Sequence, residues 1–397
     1  MVTVAFDATP LLGRRTGIGV VLNGLLNALP DLPPLDGTPL DLIGYGLTGT
    51  GWRHLDRVVP GGRVARAPMP AAAMLRQWRH ADWPPVEWWT GPVDLVHGTN
   101  FVVPPARKAR RLVSVHDLTA VRFPQLCSPS SLRYPGLVRR AVNAGADVHT
   151  GAEAMVPEIC EHFGLPRERV HVVGWGITPP APPAPPAPPA PSADEPIHSA
   201  PAADELIHSV PALATPREAG PPYLLGLGTV EPRKDFPLLV RAFDRLAGDH
   251  PDLELRIVGP PGWGEAALDG AIAGSPVRRR IHRDGWIDQV DGVIAGAAVF
   301  VFPSVYEGFG LPPLEAMARG VPVVATAAGA VPEVVGSAAD LVPVGDVDAL
   351  AAAISRVLDD EEHRRHLIDA GRARVAELTW PKAAAAMRDL YVRLASG

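Results

Sequence analysis

Short apolar runs of five to seven residues recur along the chain, separated by longer stretches whose apolar positions return every three or four residues. In the first half the short runs are VTVAF, LDLIGYG, DLVHG, RLVSVHD and RVHVVG; in the second they are YLLGLG, LELRIVG, VFVFPS and VPVVATA. FPLLVRAFDRLA and DALAAAISRVLDD show the helical spacing. This alternation predicts an α/β chain of parallel sheets covered by helices, each half forming its own Rossmann-like domain.

Between the halves the pattern breaks. A run TPPAPPAPPAPPAP opens at Thr178 and is followed by a tandem decapeptide, ADEPIHSAPA at 193–202 and ADELIHSVPA at 203–212. Such a stretch cannot build a core, so it reads as an extended polyproline spacer followed by a disordered insertion. Duplication explains the recurrence of His198 and His208 more simply than metal binding does. The expected division is a first domain at 1–178, a linker at 179–220, a second domain at 221–379 and a closing segment at 380–397.

Composition agrees with two domains. A length of 397 residues exceeds one ordinary core. With 47% hydrophobic and 20% charged residues, and no unbroken apolar run near roughly 18 residues, the chain reads as soluble. Met1 leads directly into VTVAF without a basic start or cleavage-like site, which predicts a cytoplasmic protein. Two cysteines, Cys127 and Cys160, argue against a disulfide framework and a cysteine-rich metal site. The net charge of −6 is uneven: residues 1–178 carry 18 Lys+Arg against 14 Asp+Glu, and the rest carry 19 against 29. Arg107, Lys108, Arg110 and Arg111 form a basic cluster suited either to an anionic membrane surface or to a solvated loop. No aromatic and basic interleaving accompanies it, so nucleic acid is not an expected partner. AAAMLRQWRHADWPPVEWW concentrates four of the nine tryptophans, as an acceptor or membrane-facing surface or as interdomain packing.

The chemistry concentrates in YEGFGLPPLEAM, where Glu307 and Glu315 stand eight residues apart around Gly308 and Gly310. AVFVFPS ends a buried strand and PPLEAMARG opens a helix with Gly320 as its stop, so the glycines sit on a strand-to-helix turn. Such turns line the ligand crevice of a doubly wound sheet, and helix N-termini favour anions. Pro312 and Pro313 have no N–H, which leaves Phe309, Gly310, Leu311 and Leu314 as backbone donors for a phosphate. A carboxylate repels phosphate but accepts from hydroxyls, so Glu315 suits a ribose diol and Glu307 a sugar beyond the phosphates. Arg233 and Lys234, in GLGTVEPRKDF after a strand, are suited to neutralise a diphosphate leaving group. Together these features describe a nucleotide sugar.

GLGTVEPRKDF, FPSVYEGFGLPPLEAMARGVPVVAT and GAVPEVVG together resemble the retaining nucleotide-sugar glycosyltransferases of family 4, of GT-B architecture. The resemblance covers nearly all of the second half. It implies that Glu307 contacts the donor sugar, Glu315 the ribose, and Arg233 and Lys234 the diphosphate. Asp235 stands where family members often have Asn, which bears on the local phosphate geometry. In the first half the resemblance is weaker: FDATPLLGRRTGIGVVLNGLLNAL is similar to the family's glycine loop, placing Gly17 and Gly19 near the donor phosphates. SVHDLTAVRFPQ is similar to its acceptor-side loop and makes His116 the family histidine near the transferred sugar, with Asp117 positioning it or capping the turn. Backbone near Gly285 and Trp286 is expected to read the base, and LTWPKAAAAMRDLYVRLASG resembles the helix that crosses back onto the first domain.

Neither GIGVVL nor GLGTVE completes a dinucleotide-binding glycine motif, which disfavours a dehydrogenase. Asp346 and Asp348 in VGDVDAL read as a helix cap rather than a metal-binding pair. The expectation is therefore a metal-independent retaining hexosyltransferase without a cofactor, whose partners are a nucleotide-sugar donor and a glycan or glycolipid acceptor. The similarity of the first half to bacterial mannosyltransferases of polysaccharide assembly makes GDP-mannose the first donor expected and a UDP-hexose the second. A catalytically silent GT-B scaffold is the alternative from another class.

Overall fold

The computed structural model describes residues 1–13, 17–59, 63–65, 67–179 and 220–397. Apart from its first residues Thr178 and Pro179, the proline-rich spacer and the decapeptide repeat, with His198 and His208, fall on residues 180–219 and lie outside those described. Two parallel sheets form the frame. The first contains β1 (Val2–Asp7), β2 (Leu40–Tyr45), β3 (Arg63–Val64), β4 (Leu95–Gly98), β5 (Arg110–Ser114), β6 (Asp147–Thr150) and β7 (Val170–Val172). Their spatial order is β3-β2-β1-β4-β5-β6-β7. The second contains β8 (Tyr223–Leu227), β9 (Glu254–Val258), β10 (Ile281–Asp284), β11 (Val299–Phe302), β12 (Val323–Thr326) and β13 (Asp340–Val342), in the order β10-β9-β8-β11-β12-β13. The two Rossmann-like sheets expected from the apolar pattern are both present.

The central strands are solidly apolar because helices cover both faces. Val299, Phe300, Val301, Val323, Val324 and Ala325 are each fully buried. Burying each larger side chain of this kind contributes roughly 1.5–3 kcal/mol. The amphipathic helix Phe236–Leu246 turns Leu239, Val240 and Phe243 onto this core. Asp235 caps it at φ +41°, in the left-handed region that Asp tolerates better than most residues, and accepts from Leu238 N–H at 3.2 Å. The residue that departs from the family pattern is thus committed to a helix N-terminus. Asp346 likewise caps the helix Val347–Asp359 by accepting from Ala349 N–H.

Strand order reverses between β1 and β4 in one sheet and between β8 and β11 in the other. At such reversals the connections leave in opposite directions and open a crevice at the carboxyl ends of the strands. The two sheets bring these edges together. Tyr306 donates its hydroxyl to Glu158 at 2.7 Å, and Glu333 accepts from the backbone of Glu153 and Ala154 at 2.9 and 2.6 Å.

The last helix, Trp380–Ser396, packs on the first sheet rather than the second, with Met387, Leu390 and Tyr391 against Val21 and Leu25. A Cβ at Gly24 would overlap the Trp380 ring, so glycine is what admits the indole. The chain enters this helix beside its own earlier passage between domains: Ile177 N–H donates to Leu378 carbonyl at 2.9 Å, and Trp380 Nε1 donates to Thr178 Oγ1 at 3.0 Å.

Candidate active site

The turn after β8 and the loop after β11 are zipped together at the reversal point of the second sheet. Val305 N–H donates to Arg233 carbonyl at 2.8 Å, and Arg233 Nη1 donates to Tyr306 carbonyl at 2.9 Å. Glu307 lies between the two cations, with Oε2 2.5 Å from Arg233 Nη1 and Oε1 2.7 Å from Lys234 Nζ. Lys234 is buried, 9% exposed, and its ammonium sits 4.6 Å from the centre of the Phe302 ring. The would-be Cβ of Gly228 lies 3.3 Å from Lys234 Cε, so the glycine at the end of β8 leaves the lysine its channel.

Burial alone would raise the Glu307 carboxyl, but Arg233 and Lys234 more than offset it and hold it down to about 2. Burial would loosen the Arg233 proton, yet Glu307, Asp117 and Glu231 around it push its pKa up instead. For Lys234 burial wins, aided by the like charge of Arg233, and its pKa falls. The sequence separates these residues into phosphate-binding cations and a sugar-binding carboxylate. In the folded chain they are one ion-paired cluster in which two cations share a single carboxylate, because buried cations need a counter-charge within contact distance. Burial raises Glu315, one turn into the helix Leu311–Ala318, while Arg319 opposes the shift.

Gly310 caps that helix at φ +97°, a conformation that favours glycine. The backbone N–H groups of Phe309 and Gly310 have no acceptor among the described residues. Gly308 admits no side chain, since a Cβ there would overlap the carbonyl oxygen of His116. That contact brings His116, at the carboxyl end of β5, against the Glu307 loop from the other domain. Nε2 of His116 donates to Thr99 carbonyl at 2.8 Å, which fixes the tautomer and leaves Nδ1 unprotonated. Burial lowers its pKa, so the ring is neutral at pH 7. Asp117 accepts from Thr119 N–H at 2.9 Å and caps the turn rather than the histidine.

Other sequence candidates stand further out. Gly17 opens the helix Gly17–Ala28 with open space around it, and Gly19, two residues on, is buried. Gly285, at the end of β10, accepts from Gly259 N–H at 2.8 Å, and Trp286 Nε1 donates to Asp288 at 2.7 Å. Of the tryptophan-rich stretch, Trp78 is buried and donates to Pro84 carbonyl, whereas Trp83 and Trp88 are 52% and 54% exposed and meet edge to face at 5.1 Å.

Two residues beside the cluster carry no signal of their own in the sequence. Glu231, within GLGTVEPRKDF, lies 3.5 Å from Arg233, and Trp263 reaches across the cleft to donate Nε1–H to Leu126 carbonyl at 2.9 Å. A tryptophan between two glycines, as in PGWGE, is the one local hint.

The fold and the cluster define a two-domain GT-B protein. Residues 214–374 match the family described as Glycosyl transferases group 1, so the second half of the chain is a domain of that family. Among curated proteins, the chain is 28% identical over 296 residues to O-antigen chain mannosyltransferase B of Escherichia coli, covering 72% of this chain and 71% of that protein. It is 37% identical over 172 residues to the MMP alpha-(1->4)-mannosyltransferase of Mycolicibacterium hassiacum, covering 40% of each. That second match spans less than half of either protein. Among solved structures, sucrose-phosphate synthase from Thermosynechococcus elongatus superposes with a TM-score of 0.69 at 20% identity over 99% of both chains. The lipopolysaccharide glycosyltransferase WaaG gives 0.66 at 14% identity over 98% of this chain and 99% of that one. At such identities the likeness shows the fold alone, and the family match rests on residues 214–374.

Proposed function

We propose that the chain is a retaining hexosyltransferase that moves mannose from GDP-mannose to a glycan or glycolipid acceptor. The Arg233–Lys234–Glu307 cluster, held at the strand reversal beside the unpaired N–H groups before the helix Leu311–Ala318, carries this reading. The diphosphate would take Arg233, Lys234 and the N–H groups of Phe309, Gly310 and Leu311, and the ribose diol would take Glu315. His116 and Glu307 would flank the transferred sugar. Gly17 and Gly19 would lie toward the phosphates, and Gly285 and Trp286 toward the base. The mannosyltransferase relatives support the choice of sugar.

The bond from the anomeric carbon to the diphosphate oxygen breaks, and the diphosphate leaves with the electron pair. The acceptor oxygen forms the new bond on the same face, and its proton passes to the departing phosphate. Interactions from Arg233 and Lys234 strengthen as charge develops on that group. Glu307 is ill suited to attack as a nucleophile, because both its oxygens are engaged by cations at 2.5 and 2.7 Å. The reaction is written without a metal or cofactor.

Calorimetric titration with GDP, UDP and ADP in EDTA tests the reading, with Glu315→Ala in parallel. Selective binding of GDP, weakened in the variant, is expected. Preference for UDP would move the donor to a UDP-hexose, and binding of none would favour a silent scaffold. Among the described residues no helix is long and apolar enough to cross a membrane. Peripheral contact is a separate part of the proposal: exposed Trp83 and Trp88 meet edge to face, and Glu87, next to Trp88 in sequence, accepts from the backbone N–H groups of Arg107 and Lys108. Sedimentation with anionic vesicles, abolished by Trp83→Ala/Trp88→Ala, would support it; no sedimentation of the parent chain would remove it.

A further inference from the structure

Next to the charged cluster a cavity of about 260 Å³ lies between the domains, and none of the residues assigned to the nucleotide except Arg233 lines it. The second domain contributes Glu231, Arg233 and Trp263, and the first contributes Asp117, Phe101 and Tyr134 among others. Continuity with the cluster is direct, because Arg233 is part of both. Phe101 is held at φ +59°, in the left-handed region that an aromatic residue rarely adopts. Its N–H donates to Ser114 carbonyl at 2.9 Å, and its ring stacks on Tyr134 at 5.3 Å and meets His116 edge-on at 5.5 Å. The wall is therefore aromatic, and it adjoins the histidine that faces the Glu307 loop. Opposite stands Trp263, which bridges to Leu126 while remaining 48% exposed.

The charges of this cavity are unusual for a site that would take an anion. Among the described residues lining it, Asp117 and Glu231 are acidic and Arg233 is the single base. Arg233 is already engaged by Glu307 at 2.5 Å and by Glu231 at 3.5 Å. A phosphate entering here would face two carboxylates, and the single cation is the one the donor diphosphate would take. An uncharged sugar meets what it needs: aromatic surface for its C–H face and carboxylates to accept its hydroxyls.

We propose that this cavity is the acceptor site and that it selects an uncharged sugar end over a phosphorylated one. The proposal rests on the glycosyltransferase reading above and narrows it. Asp117 and Glu231 determine the selectivity, and Trp263 contacts the acceptor from the donor-binding domain while the first domain supplies the rest of the wall.

The test uses the full chain with GDP-mannose, and with UDP-glucose in parallel, against two matched pairs: methyl α-mannoside and its 6-phosphate, and inositol and inositol 3-phosphate. The uncharged member of each pair is expected to be used with about tenfold or greater advantage in kcat/KM, since like charges across a site are costly. Equal or better use of the phosphorylated member overturns the proposal. Asp117→Asn keeps the cap on Thr119 and removes the charge, so the advantage should shrink by about tenfold if one repulsive charge is lost. Trp263→Ala should raise the acceptor KM about tenfold with the GDP dissociation constant changed by less than about twofold. If no transfer is seen, saturation-transfer NMR with GDP bound decides: contact with methyl α-mannoside supports the site, and no contact overturns it. Absent nucleotide binding would instead fault the donor reading, so the two failures are separable.

Discussion

The two sheets share one strand order around their reversal points, yet the chemistry placed there differs completely. On the β4 side of the β1/β4 reversal the first domain holds a buried, uncharged chain of hydrogen bonds across β4, β5 and β6. His149 Nε2–H donates to Val173 carbonyl at 3.2 Å, so its Nδ1 accepts from the Ser114 hydroxyl at 2.8 Å. Ser114 then accepts from His97 Nε2–H at 2.8 Å, and His97 Nδ1 accepts from the Tyr391 hydroxyl at 2.7 Å. Burial keeps both histidines neutral, and it takes His149 down to about 3. At the β8/β11 reversal stand three formal charges in contact. Topology made two crevices; side chains made one of them a cluster of paired charges and put beside the other a rivet between the last helix and the sheet.

The sharpest way to break this contrast is Glu307→Ala, which leaves two buried cations without their counter-charge. A loss of about 3–5 kcal/mol in urea unfolding is expected, together with loss of transfer. A loss below about 1 kcal/mol would mean that the cluster is solvated rather than buried. Tyr391→Phe probes the other crevice. It strands His97 Nδ1 and should cost about 1–3 kcal/mol while leaving GDP affinity unchanged.

Acid separates the two regions by where stability is lost. The Glu307 pKa falls from an ordinary 4.5 to about 2 on folding, so its contribution is complete above 4.5 and disappears as pH falls toward 2. The His149 pKa falls from 6.5 to about 3, so the unfolded chain takes the proton first and stability declines as pH drops from 6.5 toward 3. Each group contributes a slope of up to about 1.4 kcal/mol per pH unit inside its window. His149→Gln should flatten the stability profile across the whole window from pH 6.5 to about 3, leaving the loss below pH 4.5 that Glu307 contributes. The smallest effect is expected from deleting 181–212, with GDP affinity changed by less than about twofold, because the chain is tied down at Ile177 and Thr178 before that stretch begins.

Among the described residues nine of the thirteen strands are legible as apolar runs, and the four that are not escape for different reasons. β3 has only two residues; β10 and β13 are edge strands of the second sheet, reading IHRD and DLV. β6 reads DVHT although it is entirely buried, because Asp147 and His149 find partners inside the protein. A polar strand satisfied by tertiary contacts leaves no periodic trace. At the site, Glu307, Glu315, Arg233 and Lys234 stand out through spacing and strand ends. Their mutual neutralisation does not, since it depends on the β8/β11 pairing. Glu231, Phe101 and Trp263 acquire meaning only when the other domain stands opposite them.

The double passage at Ile177 and Leu378 has a mechanical consequence. Two covalent connections that run side by side, one hydrogen bond apart, act as a single pin: they resist sliding and twisting of the domains and leave rotation about the pin as the soft motion. In such a rotation groups far from the pin would travel through the widest arc and groups near it would barely move. A pivot of this kind is indifferent to how much chain is spliced in beyond its edge, which is how a lineage can lengthen the stretch after Thr178 without retuning the hinge.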